Sequence, residues 1–284
     1  MFDRTLKQAA MLVALSMWTL QAFAATLLGT IGAGGGASTL VEINPTTGAQ
    51  VRSIGSVGYA VNGMTYDTTT NTLYATTSQG DPVFANGLIT INMTTGAGTP
   101  VGAGAGQLVN VPSANSSGQL YGWTEASDDP VLWNKAAGTI TVLAPSGLST
   151  SQESLAFDNN NVLYLLNSDQ NLYTINTTTG AGTSLGAVTG LVSGLAHHGD
   201  FNPDNNRLYA ISEIGNGNNP RNLYVIDITT RNVVATLPTA NDLHTLAFVT
   251  AAALVPTLSD WAMITFALLI AGFGLLILRR RRLA

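Results

Sequence analysis

The sequence predicts an all-β chain folded as a β-propeller, and three observations carry that prediction. A strand ending in Asn or Asp recurs at intervals of forty-odd residues, a hairpin of fixed composition recurs with it, and an incomplete set of strands is left at each end of the repeat region. Four-stranded propeller blades repeat at this period.

The first repeat is the strand that ends in a capping side chain: Leu40 to Asn44, Leu88 to Asn92, Leu172 to Asn176 and Leu223 to Asp227, with Val131-Leu132-Trp133-Asn134 as a weaker copy. Their starts lie 48, 43, 41 and 51 residues apart. Most run into a Thr- and Gly-rich turn, such as Pro45-Thr46-Thr47-Gly48, Met93-Thr94-Thr95-Gly96 and Thr177-Thr178-Thr179-Gly180. Asn, Asp and Gly tolerate the backbone angles of tight turns, so these segments read as hairpin connections.

The second repeat is a Leu-Ala-Phe type strand turning into a Leu-Tyr strand. Gly63 to Asp67 turns through Thr68–Asn71 into Thr72 to Ala75, and Ser154 to Asp158 turns through Asn159–Asn161 into Val162 to Leu165. Gly194 to Ala196 leads through a longer Asn/Asp/Pro turn into Arg207 to Ala210, and Gly118 to Tyr121 is the least regular copy. Tyr74, Tyr121, Tyr164 and Tyr209 thus recur at one place in successive blades, the signature of blade-to-blade packing rather than of a sugar-binding rim. Trp123 and Trp133 break the pattern, which makes their copy the first place to look for a site.

Each blade therefore reads as four strands, the last one short and outermost. At the ends of the region, Thr245 to Val249 is a first strand with no partners after it, and Thr26 to Thr30 opens with no first strand before it. Joined, they complete one blade. The spacing predicts five blades over residues 25–250, closed by strands from opposite ends of the chain; a six-bladed ring or a two-sheet sandwich is the alternative.

The flanks carry different signals. Residues 1–24 have the form of a secretory signal peptide: Arg4 and Lys7, an apolar run from Ala9 to Leu20, then Ala22-Phe23-Ala24, which places cleavage between Ala24 and Ala25. An uncleaved anchor is the alternative, although the run is short for a span of about 20 residues. After a linker at 251–254, residues 262–278 are uncharged and are followed by Arg279, Arg280, Arg281 and Arg282. Length and the Arg stop signal predict one C-terminal transmembrane helix, with the arginines cytoplasmic and Trp261 at the opposite interface. A buried core helix is the other reading of that segment.

Immediately before it stands Val255-Pro256-Thr257-Leu258-Ser259-Asp260-Trp261. Short motif, hydrophobic span and Arg cluster together resemble the IPTL-CTERM sorting signal, a relative of PEP-CTERM. Pro256, Thr257, Leu258 and Trp261 match its core, Val255 stands for the usual Ile, and Ala262 stands where Gly is common. The resemblance covers residues 255–284. It implies a Gram-negative bacterium and an exosortase-type partner that removes the tail, and it says nothing of what the ectodomain does.

Composition narrows the remaining functions. The 284 residues include no Cys, which excludes a disulfide framework, thiolate metal sites and thiol catalysis. The formal net charge is −5, but residues 25–254 carry five basic and fourteen acidic side chains, so the exported part is more acidic than the whole. That disfavours nucleic acid as a partner. No Walker loop, His-Glu-x-x-His or Gly-x-Ser-x-Gly occurs, and the glycine runs 32–36 and 102–106 lie between strands, as loops. The Asn92, Asn115 and Asn176 sequons arise by chance in a bacterium.

Three sets of residues remain as candidate chemistry. Asp200, Asn202, Asp204 and Asn206 have the alternating spacing of a calcium loop, but lack the following Gly and the bidentate Glu; turn chemistry explains them as well. His197 and His198 point to opposite faces if the strand alternates, and His244 precedes the closing strand, so all three are expected to be separate hydrogen-bonded residues. Glu42, Glu125, Asp128, Asp129, Glu153 and Glu213 are the available carboxylates. No local motif pairs any of them, and Asp128-Asp129-Pro130 reads as a turn before a strand.

No cofactor and no catalytic set are expected. The sequence supports an exported, envelope-anchored binding, adhesion or matrix protein with an extracellular glycan or protein ligand, held in the inner membrane before processing and then displayed at the cell surface or outside it. A propeller glycoside hydrolase acting on extracellular polysaccharide is the alternative, and an assembled surface structure a third.

Overall fold

Twenty strands, counted among the described residues, pair into five separate four-stranded antiparallel sheets. The computed structural model describes residues 24–32, 36–151, 153–191, 195–213, 221–240 and 242–250, all within the unit Phe23–Thr250. The chain opens with β1 (Thr26–Ile31), β2 (Thr39–Ile43) and β3 (Gln50–Ser56). The next blade is β4 (Val61–Asp67), β5 (Thr72–Thr77), β6 (Leu88–Ile91) and β7 (Gly98–Val101), followed by β8 (Val109–Ala114), β9 (Leu120–Thr124), β10 (Asp129–Asn134) and β11 (Thr139–Val142). Then come β12 (Ser154–Phe157), β13 (Leu163–Leu166), β14 (Asn171–Ile175) and β15 (Gly182–Ala187), and after them β16 (Leu195–Asn202), β17 (Arg207–Glu213), β18 (Asn222–Asp227) and β19 (Asn232–Pro238). The last strand, β20 (Leu243–Val249), returns to the first sheet, in the order β20-β1-β2-β3.

This is the closure read from the terminal strands. β20 pairs antiparallel with β1 from Thr26↔Val249 to Thr30↔Thr245, and the buried Thr30 and Thr245 hydroxyls bond at 2.7 Å. β4, β8, β12, β16 and β20 line the axis, each packed on the next, so the ring has no open seam. The outermost strands β3, β7, β11, β15 and β19 face solvent. The five-bladed ring replaces the six-bladed and sandwich alternatives.

The apolar core consists of five wedges, one between each pair of neighbouring blades. The tyrosine repeat belongs to them: Tyr121, Tyr164 and Tyr209 each meet the inner-strand Phe of the next blade, Phe157, Phe201 and Phe248, at 5.4, 5.5 and 5.0 Å between ring centroids. Such contacts contribute about 0.5–1.5 kcal/mol beyond area burial. At Tyr74 the corresponding inner residue is Ala114, and the Lys135 ammonium lies over the Tyr74 ring instead, 5.7 Å from its centroid.

The recurrent Asn and Asp residues are turn caps. Asn44, Asn92, Asn134, Asn176 and Asp227 each accept the backbone N–H groups two and three residues on. One correction concerns Asp128-Asp129-Pro130: only Asp128, at φ 56, is in the turn, while Asp129 and Pro130 belong to β10. The Asp129 carboxylate accepts the Ser146 N–H at 2.7 Å, so it braces a later segment rather than capping its own turn. No described helix is long and apolar enough to cross a membrane. Residues 1–23 of the leader, the expected transmembrane segment and the sorting motif lie outside the described residues.

Candidate functional site

The five inner strands run in the same direction along the axis and present two different ends. At their C-terminal end, side-chain oxygens latch each blade to the next. Thr65 Oγ1 accepts the Ala114 N–H at 3.1 Å, Ser113 Oγ the Phe157 N–H at 3.0 Å, and Asp200 Oδ2 the Phe248 N–H at 2.7 Å. These are corresponding positions in three blades; Ala156 and Ala247 occupy the other two and cannot accept. Asp200 Oδ1 also accepts the Phe201 N–H at 2.9 Å. Desolvation nevertheless pushes the Asp200 carboxyl up to about 7, with the two backbone donors pulling the other way.

Between these latches and the hairpin turns lies an axial cavity of about 330 Å³, lined by residues from all five inner strands. Its walls combine the aromatic residues Tyr66, Phe157 and Phe248 with the polar residues Thr65, Asn115 and Asp158. The carboxylates here are already engaged. Asp158 Oδ1 accepts the Asn160 and Val162 N–H groups at 2.9 and 2.8 Å, and Asp200 is held as described. What is left to meet a ligand is hydroxyl, amide and aromatic surface.

The N-terminal end of the inner strands is different. Three residues before Thr65, Ser113, Ala156 and Ala247 stand Asn62, Asn110, Glu153 and His244, a polar girdle. The Asn62 amide donates to Asn110 Oδ1, and the Asn110 amide donates to Glu125 Oε1. Glu153 is 2% exposed, and neither of its carboxylate oxygens has a hydrogen-bond partner. Desolvation, reinforced by the charges of Glu125 and Asp128, pushes its carboxyl up to about 8; its own backbone and the Asn110 amide offset only part of this. Glu125 is raised too, first by desolvation and then by Asp128. The structure thus brings together Glu125 and Glu153, 28 residues apart in sequence, where no local motif paired them. A signal was present: Glu153 stands immediately before β12, at a position that two other blades fill with Asn.

The histidine reading needs correction. A bulge between Ala196 and His198 breaks the alternation of β16. His198 is buried, and its ring meets that of His244 edge-on, with centroids 4.9 Å apart. Arg221 joins them, with Nη1 3.4 Å from His244 Nδ1 and Nη2 3.5 Å from Asp242 Oδ1. Among the described residues no three His, Asp or Glu side chains form a ready metal site.

The calcium-loop candidates turn to separate partners. Asp200 holds Phe248, Asn202 Oδ1 caps the Asp204 N–H at 2.8 Å, Asp204 Oδ2 accepts from Ala25, and Asn206 Oδ1 accepts the Asn159 N–H at 2.8 Å. Glu42 pairs with Arg52 at the surface, at 2.7 Å. Trp123 is fully buried with its Nε1 donating to Thr150 Oγ1, and Trp133 is buried in the wedge with Tyr74. Neither indole forms a rim, although the irregular blade does supply Glu125.

Fold and geometry define a self-closed five-bladed propeller with a cavity at one end of its axis and a carboxyl pair at the other. Residues 255–282 match the IPTL-CTERM motif, and residues 130–257 match a domain of unknown function, DUF4394. The chain therefore carries the sorting signal of exported, surface-sorted proteins. No curated protein matches the sequence. Among solved structures, a chain from the crystal structure of a nidogen/laminin complex is similar at 11% identity and TM-score 0.53, over 80% of this chain and 99% of that one. A protein of unknown function from Bacteroides caccae is similar at 15% identity and TM-score 0.51, again over 80% and 99%. One from Bacteroides thetaiotaomicron VPI-5482 is similar at 13% identity and TM-score 0.51, over 81% and 68%. Likeness at this identity concerns the fold alone.

Proposed function

We propose that this chain is an exported, surface-displayed binding propeller, not an enzyme, and that it holds an uncharged, hydroxyl-rich ligand such as the end of an extracellular glycan in its axial cavity. One observation carries the reading: the cavity of about 330 Å³ offers amide, hydroxyl and aromatic surface while its carboxylates are bound to backbone N–H groups. A pocket of that size accepts a small ligand, and polar groups between aromatic side chains suit a sugar. The hydrolase alternative needs two carboxyl groups that a substrate can reach. Glu153 and Glu125 are the pair available, and both oxygens of Glu153 are sealed from solvent.

The test is a glycan array probed with the purified full chain beside Ser116→Trp, since Ser116 is an exposed residue at the cavity wall. Binding by the native chain that Ser116→Trp loses supports the proposal. A silent array, equal binding by the variant, or turnover of a bound polysaccharide overturns it. In the same reading, the leader is removed at Ala24–Ala25 and an exosortase-type enzyme removes the tail in a Gram-negative envelope. Mass spectrometry of the protein from its native host then finds a C-terminus near Thr257 in place of Ala284.

A further inference from the structure

The carboxyl pair at the other end of the axis is unexplained by ligand binding in the cavity. A buried carboxylate normally accepts several hydrogen bonds or stands beside a cation, because leaving it bare costs several kcal/mol. Glu153 has neither. Its immediate electrostatic neighbours are Glu125 and Asp128, both acidic, from the turn between β9 and β10. The described ion pairs use Arg52, Lys135 and Arg221, and none of them involves Glu125, Asp128 or Glu153. The one polar group shared by the pair is the Asn110 amide, itself held by Asn62. As placed, the Asn110 oxygen accepts from Asn62 and its nitrogen donates to Glu125; a concerted flip of the Asn62 and Asn110 amides turns the Asn110 oxygen toward the carboxyl pair.

We infer that Glu153, Glu125 and the Asn110 amide oxygen form a site for a hard divalent cation. The donor set is all oxygen, the chemistry that favours Ca²⁺ over transition metals. Two carboxylates neutralise a divalent charge, and an ion of this size needs no open cleft of the kind a sugar requires. Asp128 adds to the attraction without being a ligand; its Oδ1 accepts the Thr150 hydroxyl at 2.8 Å. Nothing in this inference depends on the glycan reading, because the two sites occupy opposite ends of the inner strands.

The experiment is thermal unfolding of the full chain in detergent, at pH 7.5, with Ca²⁺ against EDTA. The native midpoint should climb with the logarithm of Ca²⁺ once its concentration exceeds Kd. Glu153→Gln and Glu125→Gln should each abolish that climb while remaining folded, whereas Asp204→Asn, in the alternating Asp/Asn loop, should retain it. No shift in the native chain up to about 10 mM Ca²⁺, above the millimolar range of weak extracellular modules, overturns the inference. So does a shift that survives Glu153→Gln, or one that Asp204→Asn abolishes.

Discussion

The backbone N–H of Ala25 donates to Asp204 Oδ2 at 2.9 Å, tying the residue before β1 to the turn between β16 and β17, 179 positions away in sequence. Ala25 is 5% exposed and packs in the wedge between the closing blade and its neighbour, whereas Ala24 is exposed. The change from exposed Ala24 to buried Ala25 therefore falls at the bond that the small-x-small pattern marks for cleavage. Cleavage there turns a peptide N–H into an ammonium facing a carboxylate, and a charge-assisted bond is stronger than a neutral one. N-terminal sequencing of the exported protein is expected to begin at Ala25. Asp204→Asn should cost about 0.5–1 kcal/mol in the processed protein, the modest size reflecting the solvent-exposed carboxylate. The cost should shrink when the Ala25 amine is acetylated. An equal cost with and without acetylation would mean that the bond gains nothing from processing.

Lys135 Nζ reaches Asp67 Oδ2 at 2.6 Å, from the β10–β11 turn of one blade to the end of β4 in the neighbouring blade. Asp67 is fully buried and Lys135 about a quarter exposed. Burial alone raises the Asp67 carboxyl, but the Lys135 bond and the Thr69 and Thr70 donors outweigh it and leave the pKa lowered. A lowered folded-state pKa gives stability that is present above the unfolded carboxyl value and is lost as pH falls through the folded one. Lys135→Met should therefore cost roughly 2 kcal/mol at pH 7, less than a fully orphaned buried charge because the threonine donors stay. In acid, where Asp67 is protonated, the difference should fade. Urea midpoints at both pH values measure it.

Glu153 behaves in the opposite sense. Its folded-state pKa of about 8 lies above the ordinary value of 4.5, so the folded chain holds a proton that the unfolded chain releases. Stability then falls as pH rises from about 4.5 to 8, without added metal. Glu153→Gln removes the titrating group and keeps its shape. It should flatten that part of the stability profile and gain roughly 2–4 kcal/mol at pH 8, an order-of-magnitude figure drawn from the shift. A variant profile parallel to the native one across this window would show that Glu153 is not the group responsible.

These three relationships were unequally visible in the sequence. The closing blade could be read from Thr26–Thr30 and Thr245–Val249 because a propeller repeat has a fixed strand count, and a surplus strand at one end must answer a deficit at the other. The capping residues were visible because an Asx turn acts over three positions. Lys135–Asp67 and Glu125–Glu153 were hidden because they cross between blades, where the separation depends on loop lengths and on which face each strand presents. The His198–His244 contact was concealed by a bulge, which shifts the side-chain alternation by one residue at a place that no residue type announces.

The turn repeat itself yields the last prediction. Four residues after each cap, Gly48, Gly96, Gly138 and Gly180 adopt positive φ, and the fifth copy places Arg231 there at φ 55. At Gly138 a Cβ would stand 1.9 Å from the Val101 carbonyl oxygen, so the turn lies against the outer strand of the neighbouring blade with no room for a side chain. The fifth turn also makes a cross-blade bond, Thr189 N–H to the Arg231 carbonyl at 2.9 Å, but through a residue whose backbone conformation costs about 1 kcal/mol relative to glycine. Arg231→Gly should therefore stabilise the ring by roughly 0.5–1 kcal/mol, less than the full strain because glycine also loses more entropy on folding. Gly138→Ala should destabilise it by more than about 2 kcal/mol, since the clash adds to the strain. Denaturant unfolding of the two variants side by side checks both signs. If Gly138→Ala is tolerated, the close approach of the turn to Val101 is not what holds that pair of blades.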